Sequence, residues 1–194
     1  PGQSVLRDFV LVGSPEWGRM NGTDGPGRVY LVLEGVVRAV ITGQLPGERF
    51  GSLVTGVGDV DGDGDGDIAI VSLARGIPQD MPGRDPSPTS QRILIHSNTH
   101  WHPKWEPLAG SVVAWIGDIN GDGNADILAS DPLAGTEGAQ EGIVRVYSGA
   151  DGSVLTEVRG DVPGGQWGHG LASIQDLDGD GSRDIVAGGP RMPE

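Results

Sequence analysis

Apolar residues along this chain come in short Val/Ile/Leu runs broken by Gly, Asp and Pro, the pattern of many short strands joined by turns. A β-rich run at 52–60 is followed by another at 68–72, and the pair returns at 111–119 with 127–130 and at 171–177 with 185–188. Each pair is predicted to be the two strands of a hairpin. Further strands are predicted at 27–32 and 36–41 about a Glu34-Gly35 turn, at 92–96, and at 142–147 and 154–158 about a 149–152 turn.

The three hairpin connections carry one pattern: Asp59-Val-Asp61-Gly-Asp63-Gly-Asp65-Gly-Asp67, Asp118-Ile-Asn120-Gly-Asp122-Gly-Asn124-Ala-Asp126 and Asp176-Leu-Asp178-Gly-Asp180-Gly-Ser182-Arg-Asp184. Five carboxylates in nine residues repel one another at neutral pH unless a cation sits among them, and hard oxygen ligands at alternate positions suit calcium. Side-chain oxygens at positions 1, 3, 5 and 9 can converge if the chain turns sharply at position 6, which is Gly64, Gly123 or Gly181. Position 7 (Asp65, Asn124, Ser182) is expected to offer its backbone carbonyl. An EF-hand would need a bidentate acid at position 12, where Ile70, Ala129 and Ala187 stand, and helices on both sides.

Equivalent loop positions are 59 and 58 residues apart, so the chain is a repeat protein. Nine residues before each loop stands Phe50-Gly51, Ala109-Gly110 or Trp167-Gly168, and a Pro follows soon after, at Pro78, Pro132 or Pro190. In this order of aromatic-Gly, acidic loop and Pro the chain resembles the FG-GAP repeat of integrin α-subunit head domains and related bacterial proteins. The middle repeat departs from it, with Ala109 in the aromatic position. The resemblance implies an all-β fold of four-stranded β-propeller blades, typically seven to a ring, with about three calcium ions in the hairpin loops between first and second strands.

On this reading 1–194 is one propeller region with repeats at about 1–49, 50–108, 109–166 and 167–194, the first and last partial. The stretch from Asp8 to Pro15 stands 59 residues before Asp67 and its sequel, so the chain is expected to open near the end of a fourth loop. The ligand equivalents there are Gly2 and Ser4, and no metal is expected. Residues 43–51 match 160–168 as a crossover between blades, with Pro46 on Pro163. About thirteen strands are predicted, in groups of three, four, four and two. That is too few blades to close a ring, so a homo-oligomer or a piece of a longer propeller is expected.

Composition sharpens the reading. Glycine (35) and proline (14) fit turns between many strands. Net charge is −14, and the three loops supply twelve of the 27 acidic residues, six of whose charges three calcium ions would offset. The remainder argues against nucleic acid or an anionic membrane as partner. There is no cysteine and no 18-residue apolar run. The absence of an initiator Met and of a signal peptide suggests a mature or trimmed product.

Other candidates have bland readings beside them. His96, His100 and His102 are spaced for a transition-metal site, but packing or exposed histidines are the default. Trp101, Trp105, Trp115 and Trp167 could stack on sugars, or pack between blades as expected of Trp167. Arg159-Gly160-Asp161 spells a tripeptide that integrins recognise in ligands, yet its glycine aligns with the crossover turn at Gly43. No nucleophile, base and orienting group can be picked out, so no enzyme is expected. The resemblance implies a calcium-stabilised module for adhesion or ligand recognition at the cell surface, extracellular or periplasmic. A lectin-like propeller, or the propeller of a polysaccharide-active enzyme, is the alternative.

Overall fold

The computed structural model describes residues 9–19, 25–74, 90–96, 108–110, 112–135 and 139–190, and among these every regular element is a strand. The first sheet holds β1 (Val10–Ser14), β2 (Arg28–Leu33) and β3 (Val36–Thr42). The second holds β4 (Phe50–Gly58), β5 (Asp67–Ala74), β6 (Ser90–His96) and β7 (Leu108–Ala109). The third holds β8 (Val112–Gly117), β9 (Asp126–Asp131), β10 (Ile143–Tyr147) and β11 (Val154–Arg159), and the fourth β12 (Gly170–Ser173) and β13 (Ile185–Gly188). Every sheet is an antiparallel meander in chain order, grouped three, four, four and two as the sequence pattern predicts.

The core lies between the sheets, and strand pleat decides which residue enters which layer. On β5, Ala69 and Val71 pack towards Ile127 and Ala129 of β9, whereas Ile70 turns the other way, to Val29 and Phe50. On β9, Leu128 faces Trp167 of the crossover and Leu171 and Ala187 of the fourth sheet. A middle sheet is thus covered on both faces, and β9 is buried along its whole length. The end sheets bury one face each: Val10, Val12 and Val40 lie exposed on the first, Val186 on the fourth. The opening strands β4, β8 and β12 lie against one another in sequence, as the inner strands of successive propeller blades do.

The two crossovers repeat bond for bond. Gly43 N donates to Gly27 O at 3.1 Å and Gly160 N to Gly142 O at 2.9 Å; Phe50 N donates to Pro26 O at 3.0 Å and Trp167 N to Glu141 O at 2.9 Å. Phe50 enters the layer between the first two sheets and Trp167 the layer between the last two. Gly160 therefore serves the turn, and Arg159 bonds Glu157 of its own strand at 2.7 Å.

The first sheet departs from the spacing argument. A 59-residue offset would set Gly13 level with Ser72. In the fold, Gly13 pairs with Val29 as Val71 pairs with Ile93 and Ser130 with Val144. Gly13 meets Gly51 so closely that a Cβ would fall 2.1 Å from the Gly51 carbonyl oxygen. The true offset is one residue less, and a one-residue slip exchanges the faces of a strand. Val10 and Val12 accordingly point to the open side, 60% and 45% exposed.

Candidate metal centre

Each acidic loop connects the first and second strand of a sheet: β4 to β5, β8 to β9, and β12 to β13. The loops are built alike. The position 1 carboxylate caps the turn, since Asp59 Oδ1 accepts from Gly62 N at 2.7 Å and Oδ2 from Gly64 N at 2.8 Å. Asp118 and Asp176 do the same at matching distances. Position 3 accepts from the amide of position 5, and position 5 from that of position 7, as in Asp63 N to Asp61 at 3.2 Å and Asp65 N to Asp63 at 2.9 Å. These successive Asx turns hold side-chain oxygens on one side of a tight coil.

Two glycines per loop make the coil possible. Position 6 has φ of +93°, +91° and +93° in the three copies. Position 4 (Gly62, Gly121, Gly179) is also left-handed, at +76°, +78° and +84°. The sharp turn expected at position 6 is therefore one of two, and glycine at position 4 in all three copies is the signal of the other.

Position 9 anchors the loop to the sheet. Asp67 and Asp126 are buried, and their Oδ2 atoms accept from Val60 N and Ile119 N, each at 2.9 Å. Leu177 N donates to Asp184 in the same way at 2.6 Å. Asp126 has a second donor, Gly149 N at 2.9 Å, from the turn between β10 and β11.

Carboxylate oxygens of Asp59, Asp61 and Asp67 all lie within 4.8 Å of one another, and so do those of Asp176, Asp178 and Asp180. These groups can hold a metal ion, and an all-oxygen, multiply charged donor set fits a hard divalent cation. The second loop has the same coil, but its Asn120 and Asn124 leave it three carboxylates. Asp65, at position 7, is exposed.

The amides of Gly181 and Gly179 hold the Asp176 carboxyl below its ordinary range, and the amide of Asn124, then the Asn120 side chain, hold Asp122 down. A carboxylate depressed in the folded state adds stability that is fully present above its unfolded pKa of about 3.9 and is lost as pH falls through the lower folded value. In chelator, an acid titration followed by circular dichroism should show the hairpins destabilised only below about pH 4. A loss centred at pH 6 would contradict this.

The loops also touch each other. Ala125 N, at position 8 of the second loop, donates to Asp59 O, at position 1 of the first, at 2.7 Å. Asn124 Oδ1 lies 3.2 Å from where a side chain on Gly62 would begin. The third loop reaches instead the strand that leads into the second, with the Arg183 guanidinium 5.1 Å from the centre of the Trp115 ring on β8.

His96 is buried and packs edge-on against Phe50, ring centroids 6.3 Å apart at 79°. His100, His102, Trp101 and Trp105, the ligand equivalents Gly2 and Ser4, and the long 75–89 loop lie outside the described residues. Trp115 has Arg183 over its ring, and Trp167 packs in the core between sheets as expected.

No family model matches the sequence. Among curated proteins the chain is similar to integrin alpha-4 of Xenopus laevis, 26% identical over 92% of this chain, and to integrin alpha-PS3 of Drosophila melanogaster, 33% identical over 42% of it. The relationship is thus to integrin alpha chains, in agreement with the FG-GAP propeller resemblance read from the loops. The alignments span 18% and 8% of those two proteins, so the chain corresponds to a small part of either.

Proposed function

We propose that the chain is a calcium-binding FG-GAP propeller module of an adhesion or ligand-recognition protein acting outside the cell. The observation that carries it is the threefold recurrence of one coil, with the same carboxylate-to-amide bonds, at the same hairpin of three successive sheets. On this reading Asp59, Asp61, Asp63 and Asp67 hold one ion, Asp118, Asn120, Asp122 and Asp126 a second, and Asp176, Asp178, Asp180 and Asp184 a third. The carbonyls of Asp65, Asn124 and Ser182 complete the sets. When bound, the ion neutralises the clustered carboxylates and fixes the connection between first and second strands.

The propeller region spans 1–194 with its four repeats. Its role is recognition of a protein or glycan, without catalysis, and its open end faces are suited to further blades or to copies of the chain. The similarity to integrin alpha chains supports the adhesion role, and the acidic surface supports a partner other than nucleic acid. Isothermal titration of the chelator-treated chain with calcium should count about three ions. One ion or none would overturn the reading.

A further inference from the structure

Resting on the calcium reading of the loops, we propose that the first and second loops bind calcium cooperatively while the third binds on its own. The Ala125 N–H to Asp59 C=O bond joins the two loops through their backbones at 2.7 Å. Each end is next to a ligand. Asp59 is itself position 1 of the first loop, and Ala125 immediately precedes Asp126, which closes the second.

An ion in the first loop fixes Asp59, and with it the acceptor for Ala125. That orders the residue before Asp126, whose carboxylate also holds the amides of Ile119 and Gly149. The second loop then loses less conformational freedom when its own ion arrives, which is positive coupling. Asn124 Oδ1 stands beside Gly62, 3.2 Å from where a Cβ would lie, so the two coils abut there as well.

The opposing effect is electrostatic, because an ion in one loop reduces the negative potential that draws an ion to the other. It acts through solvent at exposed loops and is screened beyond about 8 Å at physiological ionic strength. Direct bonding persists in salt, so cooperativity should strengthen as salt is raised.

The third loop lacks the backbone link. Arg183 occupies the place of Ala125, and among the described residues no backbone bond from it to Asp118 is present. Its Nε instead donates to Ser173 Oγ in its own sheet at 2.7 Å, and its guanidinium rests over Trp115. A flexible side chain over a half-exposed ring transmits less of one loop's order to the next.

The test is a calcium titration of the 15N-labelled chain in physiological salt, reading the amides of Gly64, Gly123 and Gly181 at position 6 of each loop. In the unaltered chain Gly64 and Gly123 should move together along a curve with a Hill coefficient above 1, and Gly181 along a separate non-cooperative one. In Asp61→Ala, whose hydrogen bond to Asp63 N stays within the first loop, the apparent Kd at Gly123 should rise about fivefold or more, while that at Gly181 stays within about twofold. Independent curves in the unaltered chain, or an unchanged Kd at Gly123 in a folded Asp61→Ala, would overturn the coupling and leave the calcium reading intact. If Asp61→Ala does not fold, the curves of the unaltered chain decide. If none of the three amides responds to millimolar calcium, the calcium reading itself has failed.

Discussion

Excess calcium added to the chelator-treated chain is expected to raise its thermal midpoint by roughly 5–10 °C for each loop filled. An ion that binds only the folded chain stabilises it by about 2.7 kcal/mol at a hundred times its Kd. In a domain of this size each kcal/mol moves the midpoint by about 2–4 °C. The effect should be large because the unliganded first loop holds five aspartates within nine residues, whose repulsion only solvent and salt relieve. Magnesium should do less, since it demands octahedral geometry and gives up its waters reluctantly. The measurement is differential scanning calorimetry in calcium, magnesium and chelator, and equal midpoints in all three would sink the structural role assigned to the ion.

The second large effect concerns position 9 and needs no metal. Asp126→Ala is expected to destabilise the chain by about 2–5 kcal/mol in urea unfolding even with chelator present. Its carboxylate is fully buried and accepts Ile119 N and Gly149 N, so the substitution strands two backbone donors in the interior. Asp65→Ala, at an exposed position 7, should change stability by less than about 0.5 kcal/mol under the same conditions. The contrast separates the two duties of a loop aspartate, anchoring the coil to the sheet and furnishing charge to an ion. Should both substitutions prove equally mild, the anchoring role of position 9 would be wrong.

Much of the candidate site was legible in the sequence because it is local. Nine residues contain the whole coil, the side-chain-to-amide bonds within it span at most seven positions, and three copies allow each position to be compared with its equivalents; only the bond from Gly149 N to Asp126 reaches in from elsewhere. The second glycine of the coil, at position 4, is visible in the same comparison, since Gly62, Gly121 and Gly179 coincide. The packing role of His96 was harder to see, because its partner Phe50 stands 46 residues earlier and reaches it only when β4 and β6 share a sheet.

The sequence by itself determined the strands, their grouping into three, four, four and two, the hairpin loops and the crossover turns. Hydrophobic runs, glycines and period are properties of chain segments and survive without knowledge of neighbours. Only the tertiary structure decided the phase of the first sheet, because the close approach of Gly13 to Gly51, rather than residue count, chooses which face of β1 turns inward. It alone placed Ala125 on Asp59 and Arg183 on Trp115, contacts that join one blade to the next. Repeat spacing makes the blades equivalent, but how one loop meets the next blade differs with the residue at position 8, Ala125 or Arg183, and that difference exists only once the blades are side by side.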